Sequence, residues 1–374
     1  MTESNISNHI LKRAENRLQI CKTLQMHGSL TRSEIAERCG IRKNSIGSLI
    51  EDLQAKGFLA NRNNRKRMPL ELDSSSRQVL SIDLYASFVN LAAVNLKGEI
   101  LHRNSCPLNS GSRQGYIDSV INAALNFSKE HCEGLIGLGI SIPAIIDYGS
   151  GTCIAANNLP DFNNVPLQSI FGSHFNCPVS VMNCVDASLL SFDRLTNKSG
   201  ELKNALFIDI VSGVGTSIMI DGKIVFGSNS MAGEIGQIKP CGQTKTLDEL
   251  CSIDGILRDA SSTSGRKLNS VSEFLKVLET DKNVQRMFKE KAALIAEPII
   301  FGLGFLDPDA IIFSNQPKEF YNRLIKHLEY EIKNRMSLLN AKFMISSENN
   351  SIIGSALKVI DNVFADPDFD SKFC

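Results

Sequence analysis

The sequence predicts a multidomain protein with an N-terminal winged helix-turn-helix and a larger α/β part. With 374 residues, the chain is long enough for two or three domains. Residues 1–70 contain 13 Lys and Arg against 6 Asp and Glu, whereas residues 71–374 contain 27 against 34, so a basic segment precedes an acidic one. From residue 78 onward, short apolar strands alternate with helices, which is typical of an α/β domain.

Apolar spacing and a capping box predict the first two helices. A helical stripe predicts a helix over residues 9–26, and Gly28 follows its end. The stripe consists of Ile10, Leu11, Leu18, Ile20, Leu24 and Met26. In TRSEIAERCG, the Thr31 hydroxyl can cap a second helix while Glu34 reaches back to the free amide, and Gly40 ends that helix.

A third helix and a hairpin complete the pattern. IRKNSIGSLIEDLQAKGFL carries apolar residues at helical spacing, with its basic and polar residues at the start. The stretches 58–60 and 70–72 can pair as a hairpin around NRNNRKRMP, which would form the wing. Two short helices joined by a turn with glycine, the second basic at its N-terminal end, are typical of a motif that places a helix in a major groove.

Basic, amide and hydroxyl side chains on this segment are the candidate DNA contacts. Lys and Arg neutralise phosphates, whereas Arg and Asn can pair with the edges of guanine and adenine. The candidates are Arg32, Arg42, Lys43, Asn44, Ser45, Ser48, Arg62, Arg65, Lys66 and Arg67. The alternative is a protein-interaction module of three helices with a solvated basic face, which leaves the RNNRKR run unexplained. We therefore expect double-stranded DNA as a partner.

In the larger part, apolar runs predict the strands and amphipathic runs predict the helices. VLSIDLY, FVNLAAVNL and GEILH indicate three successive strands, YIDSVINAALNFSKE a helix, and GLIGLGISIP a fourth strand. NALFIDIVSGVGTSIMIDGKIVFG indicates a strand, a turn and a second strand, and NVQRMFKEKAALIAEPIIFGLGFL a long helix before the buried strand AIIFS. This alternation is typical of an α/β domain.

Other classes are excluded by the apolar and cysteine patterns. No window approaches the roughly 18 consecutive apolar residues that span a bilayer, and the N-terminus lacks the apolar core of a signal peptide. We therefore expect a soluble, cytoplasmic protein with no membrane contact. The ten cysteines are scattered without a Cys-x-x-Cys pair, which argues against a disulfide scaffold and a zinc ribbon.

From about residue 16 to SIIGSALKVI near 351–360, the chain resembles the ROK family of sugar-responsive repressors and sugar kinases. The resemblance rests on LTRSEIAERCGIRKNSIGSLIEDLQAKGFL, on the turn patterns SIDLY and FIDIVSGVG, and on MAGEIGQIKP. It implies a two-lobed α/β actin-like ATPase (ribonuclease H-like) fold behind the winged helix. The domains implied are residues 1–74, residues 75–195 completed by 346–374, and residues 196–345.

The resemblance implies that the kinase chemistry is lost. Where the kinases have an Asp-x-Gly-Gly-Thr phosphate turn, Asp83 is followed by Tyr85 at the first glycine, and a side chain there fills the phosphate volume. Val211 replaces the first glycine of the second turn. Cys184 replaces the Asp that acts as catalytic base, and Asp186 lies on another side of the helix start. We expect no catalytic residue, no cofactor and no enzymatic activity.

The family's zinc and sugar positions are also altered. The resemblance implies that the family's four zinc ligands, one His and three Cys, are replaced here by Gln237, Lys239, Cys241 and Thr246, of which one is still a cysteine. We therefore expect no structural zinc. The resemblance implies a polar pocket between the lobes for a sugar or sugar-phosphate effector. Its expected contacts are Asn158, Asn183, Glu234, Gln237 and Asp248. Each has an ordinary alternative, because an Asn at a helix start is often a cap and an acidic residue after a turn is often solvated.

These observations predict a sequence-specific transcriptional regulator, most simply a repressor, with an inactive sensor part. A homo-oligomer, either a dimer or a tetramer, is expected because two recognition helices that read successive major-groove faces must lie about 34 Å apart. Two alternatives stay open. One is an active ATP-dependent sugar kinase with a DNA-binding appendage, and the other is a DNA-binding protein whose second part only mediates oligomerisation.

Overall fold

The N-terminal segment folds into three helices and a hairpin. The computed structural model describes residues 3–61, 68–108, 112–156, 159–338, 340–346 and 351–373. The segment contains α1 (Glu3–His27), α2 (Arg32–Cys39), α3 (Lys43–Ala55), β1 (Leu59–Asn61) and β2 (Leu70–Leu72). β1 and β2 pair antiparallel with Leu59 opposite Leu72, and Leu30 forms an isolated bridge to Leu70. The predicted order of winged-helix elements is confirmed.

Local signals account for the boundaries of α2. The Thr31 hydroxyl accepts the Glu34 backbone N–H at 3.3 Å, and the Glu34 carboxylate accepts the Thr31 backbone N–H at 2.7 Å, which is the predicted capping box. Gly40 ends the helix in the left-handed region at φ 63°. The stripe predicted for α1 is wrong at Ile10 and Leu11, which are 41% and 48% exposed, because only the later turns of α1 carry buried apolar residues.

A five-stranded mixed sheet follows the hairpin. Its strands are β3 (Gln78–Leu84), β4 (Phe88–Asn95), β5 (Ile100–Pro107), β6 (Leu135–Ile142) and β9 (Val179–Asn183). The order is β5-β4-β3-β6-β9, with β3, β4 and β5 antiparallel and β3, β6 and β9 parallel. The remaining elements of this part are α4 (Arg113–His131), β7 (Ile145–Asp147), β8 (Thr152–Ala155), α5 (Leu167–Gly172) and α6 (Cys184–Leu195).

A second sheet repeats this strand order. It consists of β10 (Ala205–Ile210), β11 (Val214–Ile220), β12 (Lys223–Ile224), β13 (Ala310–Phe313) and β14 (Lys342–Ile345), ordered β12-β11-β10-β13-β14. β10, β11 and β12 are antiparallel, whereas β10, β13 and β14 are parallel. Its helices are α7 (Leu247–Cys251), α8 (Ile253–Ser264), α9 (Val271–Thr280), α10 (Lys282–Leu306) and α11 (Lys318–Arg335).

The chain divides into two compact units. One comprises Met1–Ser199 and Asn350–Cys374, and the other comprises Gly200–Asn349. The C-terminal helices α12 (Ser351–Phe364) and α13 (Phe369–Lys372) return to the first unit, as the family resemblance implied for the last residues. The repeated sheet order confirms the predicted two-lobed α/β fold class. A domain boundary at residue 74 stays a prediction, because the winged helix belongs to the same compact unit as the first sheet.

One hydrophobic core joins the winged helix to α12. Ile20 of α1, Leu53 of α3 and Phe58 belong to the same buried cluster as Leu357 and Phe369 of the C-terminal segment. Burial of this apolar surface stabilises the winged helix against the sheet unit. In the part of the chain that the structure describes, no helix has the length and apolarity needed to cross a membrane.

Candidate functional site

The N-terminal end of α3 is the described part of the candidate DNA-binding surface. Arg42 is the N-cap residue, and its exposed side chain makes no capping hydrogen bond. Ser45 and Ser48 are exposed on the next turns, and the Ser48 hydroxyl donates to the Ser45 carbonyl oxygen at 3.2 Å. The backbone of Lys43 and Asn44 forms the first helical residues between them. This end of α3 therefore presents polar groups to solvent.

The other predicted DNA contacts differ in their surroundings. Arg32 is half-buried, with Nη1 3.5 Å from the Glu51 carboxylate and Nη2 donating to the Gln54 side-chain oxygen at 3.3 Å. These contacts join the start of α2 to α3. The wing candidates lie outside the described residues; they are Arg62, Arg65, Lys66 and Arg67.

The turn after β3 is closed by hydrogen bonds to Asp83. This carboxylate is 4% exposed and accepts the Ser141 hydroxyl at 2.6 Å and the Tyr85 phenol at 2.8 Å. Burial raises the pKa of Asp83, and these hydrogen bonds oppose the rise. The Tyr85 ring stacks on Phe88 with centroids 4.4 Å apart, and the Tyr116 hydroxyl donates to the Tyr85 carbonyl oxygen at 2.5 Å. The turn is therefore held by its own aromatic side chains.

The start of α6 has a capping residue, and the carboxylate in its first turn is engaged in a hydrogen bond. The Asn183 side-chain oxygen accepts the backbone N–H two residues on at 2.7 Å, and its amide donates to the Ala144 carbonyl oxygen at 2.9 Å. Half-buried Cys184 follows. Asp186 is 9% exposed and accepts the Tyr148 phenol, whose pKa is raised well above its usual value, first by burial and then by this carboxylate. Asn183 therefore caps α6, the ordinary role that the sequence offered as the alternative to an effector contact.

Asp248 holds the turn between β10 and β11. Its Oδ1 accepts the Val214 backbone N–H at 2.6 Å, and its Oδ2 accepts the Gln237 side-chain amide at 2.9 Å. Two glycines leave room for the carboxylate. A Cβ on Gly236 would lie 2.1 Å from Asp248 Oδ1, and one on Gly213 would lie 2.8 Å away. The structure therefore brings the predicted contacts Gln237 and Asp248 together, in a contact that also organises the backbone.

Two of the four positions aligned with the family's zinc ligands, Thr246 and Gln237, make other hydrogen bonds. Thr246 caps α7 through a capping box with Glu249, and Cys241 and Lys239 are exposed. Gln237 binds Asp248, as described above, and Glu234 precedes it as a half-buried residue next to a short 3₁₀ helix (Ile235–Gln237). No group of three or more His, Cys, Asp or Glu side chains arranged for a metal occurs among the residues that the structure describes.

The five predicted effector contacts fall in different parts of the chain. Asn183 belongs to the first compact unit, and Glu234, Gln237 and Asp248 belong to the second. Asn158 lies outside the described residues. Among the four of these residues that the structure describes, the hydrogen bonds given above join Gln237 directly to Asp248.

Sequence reasoning missed a buried polar network between α1, α6 and α12. The Arg194 guanidinium pairs with both carboxylate oxygens of Asp361, at 3.0 and 2.9 Å, and also donates to the Gln25 side-chain oxygen. Gln25 in turn donates to the Leu96 carbonyl oxygen at 2.8 Å. Arg194 and Gln25 are 169 residues apart in the chain, and no local motif marks such a contact.

Comparisons with known proteins agree with this architecture. The model of the family described as "ROK family" matches residues 79–357. The xylose repressor of Caldicellulosiruptor bescii is 22% identical and aligns with 97% of this chain and with its own whole length. The glucokinase of Halalkalibacterium halodurans is 30% identical over 68% of this chain and 85% of its own length. The alignment with the repressor thus extends over more of the chain than the alignment with the kinase.

A solved structure shares the fold of this chain. It is the crystal structure of a ROK family transcriptional regulator, a homolog of the E. coli MLC protein. It superposes with a TM-score of 0.83 at 16% sequence identity and covers 97% of this chain and 98% of its own. At this identity, the likeness supports the fold.

Proposed function

Because the chain belongs to the ROK family, we propose that it is a sequence-specific DNA-binding repressor that senses a sugar or a sugar-derived ligand without phosphorylating it. The observation that carries the proposal is the winged helix, whose α3 presents Arg42, Ser45 and Ser48 to solvent. This module shares one hydrophobic core with the sheet unit behind it. A sugar kinase has no need of such a module, whereas a repressor requires one.

In the proposed DNA complex, α3 enters the major groove and the wing follows the backbone. Arg42 and Lys43 neutralise phosphates or pair with guanine, and Asn44 pairs with adenine, as the chemistry of these side chains allows. Ser45 and Ser48 add hydroxyl contacts. Arg62, Arg65, Lys66 and Arg67 of the wing supply further phosphate contacts, and Arg32 supports α3 through its neighbours Glu51 and Gln54.

The absence of phosphoryl transfer is proposed from three positions in the first unit. Asp83 already accepts hydrogen bonds from Ser141 and Tyr85, so its carboxylate is engaged inside the unit. Cys184 occupies the position of the family's catalytic base, and the nearby Asp186 accepts the Tyr148 phenol. General-base catalysis needs a carboxylate within hydrogen-bond reach of the sugar hydroxyl, and the family's position for that carboxylate holds a thiol in this chain.

The effector proposed first is a pentose, since the full-length relative reported above is named a xylose repressor. Its contacts would come from Asn158, Asn183, Glu234, Gln237 and Asp248. Asn183 keeps one amide hydrogen beyond its bond to Ala144, and the carboxylates of Glu234 and Asp248 can accept sugar hydroxyls. D-xylose is therefore the first probe, with D-glucose and sugar phosphates as comparisons.

The proposal includes a homo-oligomer in the cytoplasm. One winged helix reads one half-site, and an inverted repeat with half-sites one helical turn apart needs two modules about 34 Å apart. A two-fold symmetric dimer, or a tetramer built from dimers, sets that spacing. Sedimentation velocity of the full chain, alone and with a duplex, would measure the stoichiometry.

An active sugar kinase is the second candidate. The observation in its favour is the 30% identity to a glucokinase, which exceeds the 22% identity to the full-length repressor. A coupled assay for ADP formation with D-glucose and D-xylose separates the candidates. Sugar-dependent ADP formation by the wild-type chain, abolished by Asp83→Asn, would establish the kinase.

The repressor proposal is tested by selecting duplexes from a random DNA pool at about 150 mM salt, where nonspecific binding is weak. We expect an enriched inverted repeat. Thermal shift with D-xylose is the companion measurement, because a ligand at 100 times its dissociation constant stabilises the native state by about 2.7 kcal/mol. A folded protein that enriches no sequence, with or without sugar, would contradict the repressor function.

A further inference from the structure

Helix α6 connects the candidate effector position with the winged helix inside the first compact unit. Its start carries Asn183 as the cap and Cys184 as the first helical residue. Its last turn carries Arg194, which contacts Gln25 of α1. The helix has twelve residues, so its two ends lie about 17 Å apart. A displacement at the start of α6 therefore reaches α1 through one regular element.

The contact at the end of α6 is buried and charged. Arg194 is 2% exposed, and both of its terminal nitrogens bind Asp361 of α12. Burial disfavours the charged forms, but each partner holds the other ionised: the pKa of Arg194 is raised and that of Asp361 is lowered. Lys22 of α1 lies 3.5 Å from Asp361. A buried pair that loses one partner leaves an uncompensated charge, so the pair resists separation.

Helices α6 and α12 pack with their backbones in direct contact. A Cβ on Gly354 of α12 would lie 1.7 Å from the Ala187 carbonyl oxygen of α6. On the opposite side, a Cβ on Gly139 of β6 would lie 2.6 Å from the Ser355 carbonyl oxygen. Interfaces packed this closely transmit displacement because they have no space in which to absorb it.

The far end of α12 provides a second connection to α1. Arg17 of α1 is 1% exposed and donates to the carbonyl oxygens of Phe364 at 3.3 Å and Asp366 at 2.6 Å. Its guanidinium lies over the Phe369 ring at 4.5 Å. Arg17 thus anchors α1 to the C-terminal end of α12, whereas Gln25, about two helical turns further along α1, contacts Arg194 of α6.

We propose that the α6–α12 pair carries changes at the start of α6 to the winged helix, and that Gln25 is the positioning residue that receives them from Arg194. This inference rests on the proposed function, because it describes how occupation of the effector position alters DNA binding. The ligand biases DNA binding only as far as it favours one position of α6 over another. Gln25 also donates to Leu96, so it fixes α1 to both α6 and the loop after β4.

The test variant is Gln25→Met, which removes the link to Arg194 while leaving the Arg194–Asp361 pair intact. Gln19→Met is the matched control, because Gln19 is exposed on the same helix. Lys22→Met provides a milder second variant if Gln25→Met fails to fold. Binding of D-xylose is followed by calorimetry, and duplex affinity is measured with and without the sugar on the repeat recovered by selection.

We expect D-xylose to change the duplex affinity of the wild-type chain by about five- to 150-fold, the usual range for coupled sites. In Gln25→Met, the sugar affinity should stay within about twofold, whereas the effect of the sugar on duplex affinity should fall below about twofold. Gln19→Met should behave as the wild-type chain. Full coupling in a folded Gln25→Met variant would overturn the inference, and so would full coupling in Lys22→Met if Gln25→Met fails to fold.

Amide hydrogen exchange of α1 tests the inference without DNA or sugar. Cys184→Phe places a bulky group at the start of α6 and replaces the sugar as the perturbation. It should alter exchange over residues 17–26 in the wild-type background and leave it unaltered together with Gln25→Met. Equal changes in both backgrounds, or no change in either, would overturn the inference. Failure to bind any duplex would contradict the proposed function, while this exchange result still decides the inference.

Discussion

The Tyr85 phenol donates a 2.8 Å hydrogen bond to the Asp83 carboxylate, which is buried beneath the turn that follows β3. Ser141 binds the other oxygen of the same carboxylate. In a nucleotide-binding turn, backbone amides approach phosphate oxygens, and glycines keep that volume open. Here a tyrosine closes a hydrogen-bonded arrangement over the acidic group. Under the proposed function, this hydrogen bond fills the turn in place of a bound phosphate while the fold is retained.

The first prediction is that Cys184→Asp restores no phosphoryl transfer. The substitution returns a carboxylate to the base position, but the turn at Tyr85 is unchanged, and phosphate positioning is required for the reaction. We expect no sugar-dependent ADP formation from the wild-type chain or from Cys184→Asp. A coupled assay with D-glucose and D-xylose measures this, with an active sugar kinase as positive control. Turnover by Cys184→Asp alone would show that Tyr85 does not block the nucleotide.

The second prediction concerns Arg42, where stability and DNA affinity should change in opposite directions. Arg42 makes no capping hydrogen bond, and a serine N-cap stabilises a helix by about 0.5–2 kcal/mol relative to a residue that does not cap. Arg42→Ser should therefore raise the free energy of unfolding in urea. It should also weaken duplex binding and reduce the slope of log K against log salt by about 0.9, the value for one lost phosphate contact.

Arg38→Ser is a suitable control for this substitution, because Arg38 is an exposed arginine in the last turn of the neighbouring helix α2. It should leave the salt slope closer to that of the wild-type chain. If Arg42→Ser and the wild-type chain have equal slopes and equal affinities, Arg42 makes no phosphate or base contact.

The third prediction separates two roles of Asp248. Asp248→Ala leaves the Val214 backbone N–H without its acceptor, and a lost partner of this kind costs about 1–3 kcal/mol. Asp248→Asn keeps a carbonyl oxygen for Val214, and the Gln237 amide can rotate to offer its own oxygen. Urea unfolding should rank Asp248→Ala well below Asp248→Asn. Sugar affinity should fall in both variants if Asp248 also contacts the effector, and only the unfolding should respond if its role is confined to the turn.

Features that depend on residues close together in the sequence could be predicted, whereas features that depend on distant parts of the chain could not. The capping box joins Thr31 to Glu34, three residues apart, so the local sequence predicts it. The pairing of 58–60 with 70–72 follows from two neighbouring apolar stretches. The exposure of Ile10 and Leu11 could not be predicted, because an apolar stripe on a helix does not show how much of its length packs against the rest of the protein. Local patterns therefore gave the elements, and tertiary packing decided which parts of them are buried.

The candidate site shows the same division. Asn183 begins α6, and its capping role was a sequence-level alternative because such caps act within two residues. The contact between Asp248 and Val214 spans 34 residues, and it depends on Gly236 and Gly213 leaving space for the carboxylate. Polarity and family position mark Asp248 as a candidate, but only the packing of the turn shows which groups it binds.

The fourth prediction is that chelation leaves the protein unchanged. The resemblance placed zinc ligands at positions now held by Gln237, Lys239, Cys241 and Thr246, and Thr246 instead caps α7. Structural zinc contributes folding energy directly, so its removal from a zinc protein lowers the melting temperature. We expect identical thermal melts before and after dialysis against EDTA, and less than one zinc per ten chains by elemental analysis, a threshold of roughly background occupancy. Stoichiometric zinc with a chelator-sensitive melt would contradict the prediction.

The fifth prediction concerns the buried pair of Arg194 and Asp361. Asp361→Asn leaves the Arg194 charge uncompensated and should cost about 3–5 kcal/mol at pH 7, whereas the double variant Arg194→Met with Asp361→Met removes both charges and should recover most of that loss.

Although burial opposes ionisation, Arg194 holds the pKa of Asp361 below its usual value. A carboxylate with a lowered folded-state pKa stabilises the fold above its unfolded pKa of about 3.9, and this contribution disappears as the pH falls through the folded value. The difference in urea stability between the wild-type chain and Asp361→Asn should therefore be constant from pH 7 to about 5 and shrink below about pH 4. A difference that stays constant down to pH 3, or that grows on acidification, would show that Asp361 does not stabilise the fold as an ionised partner of Arg194.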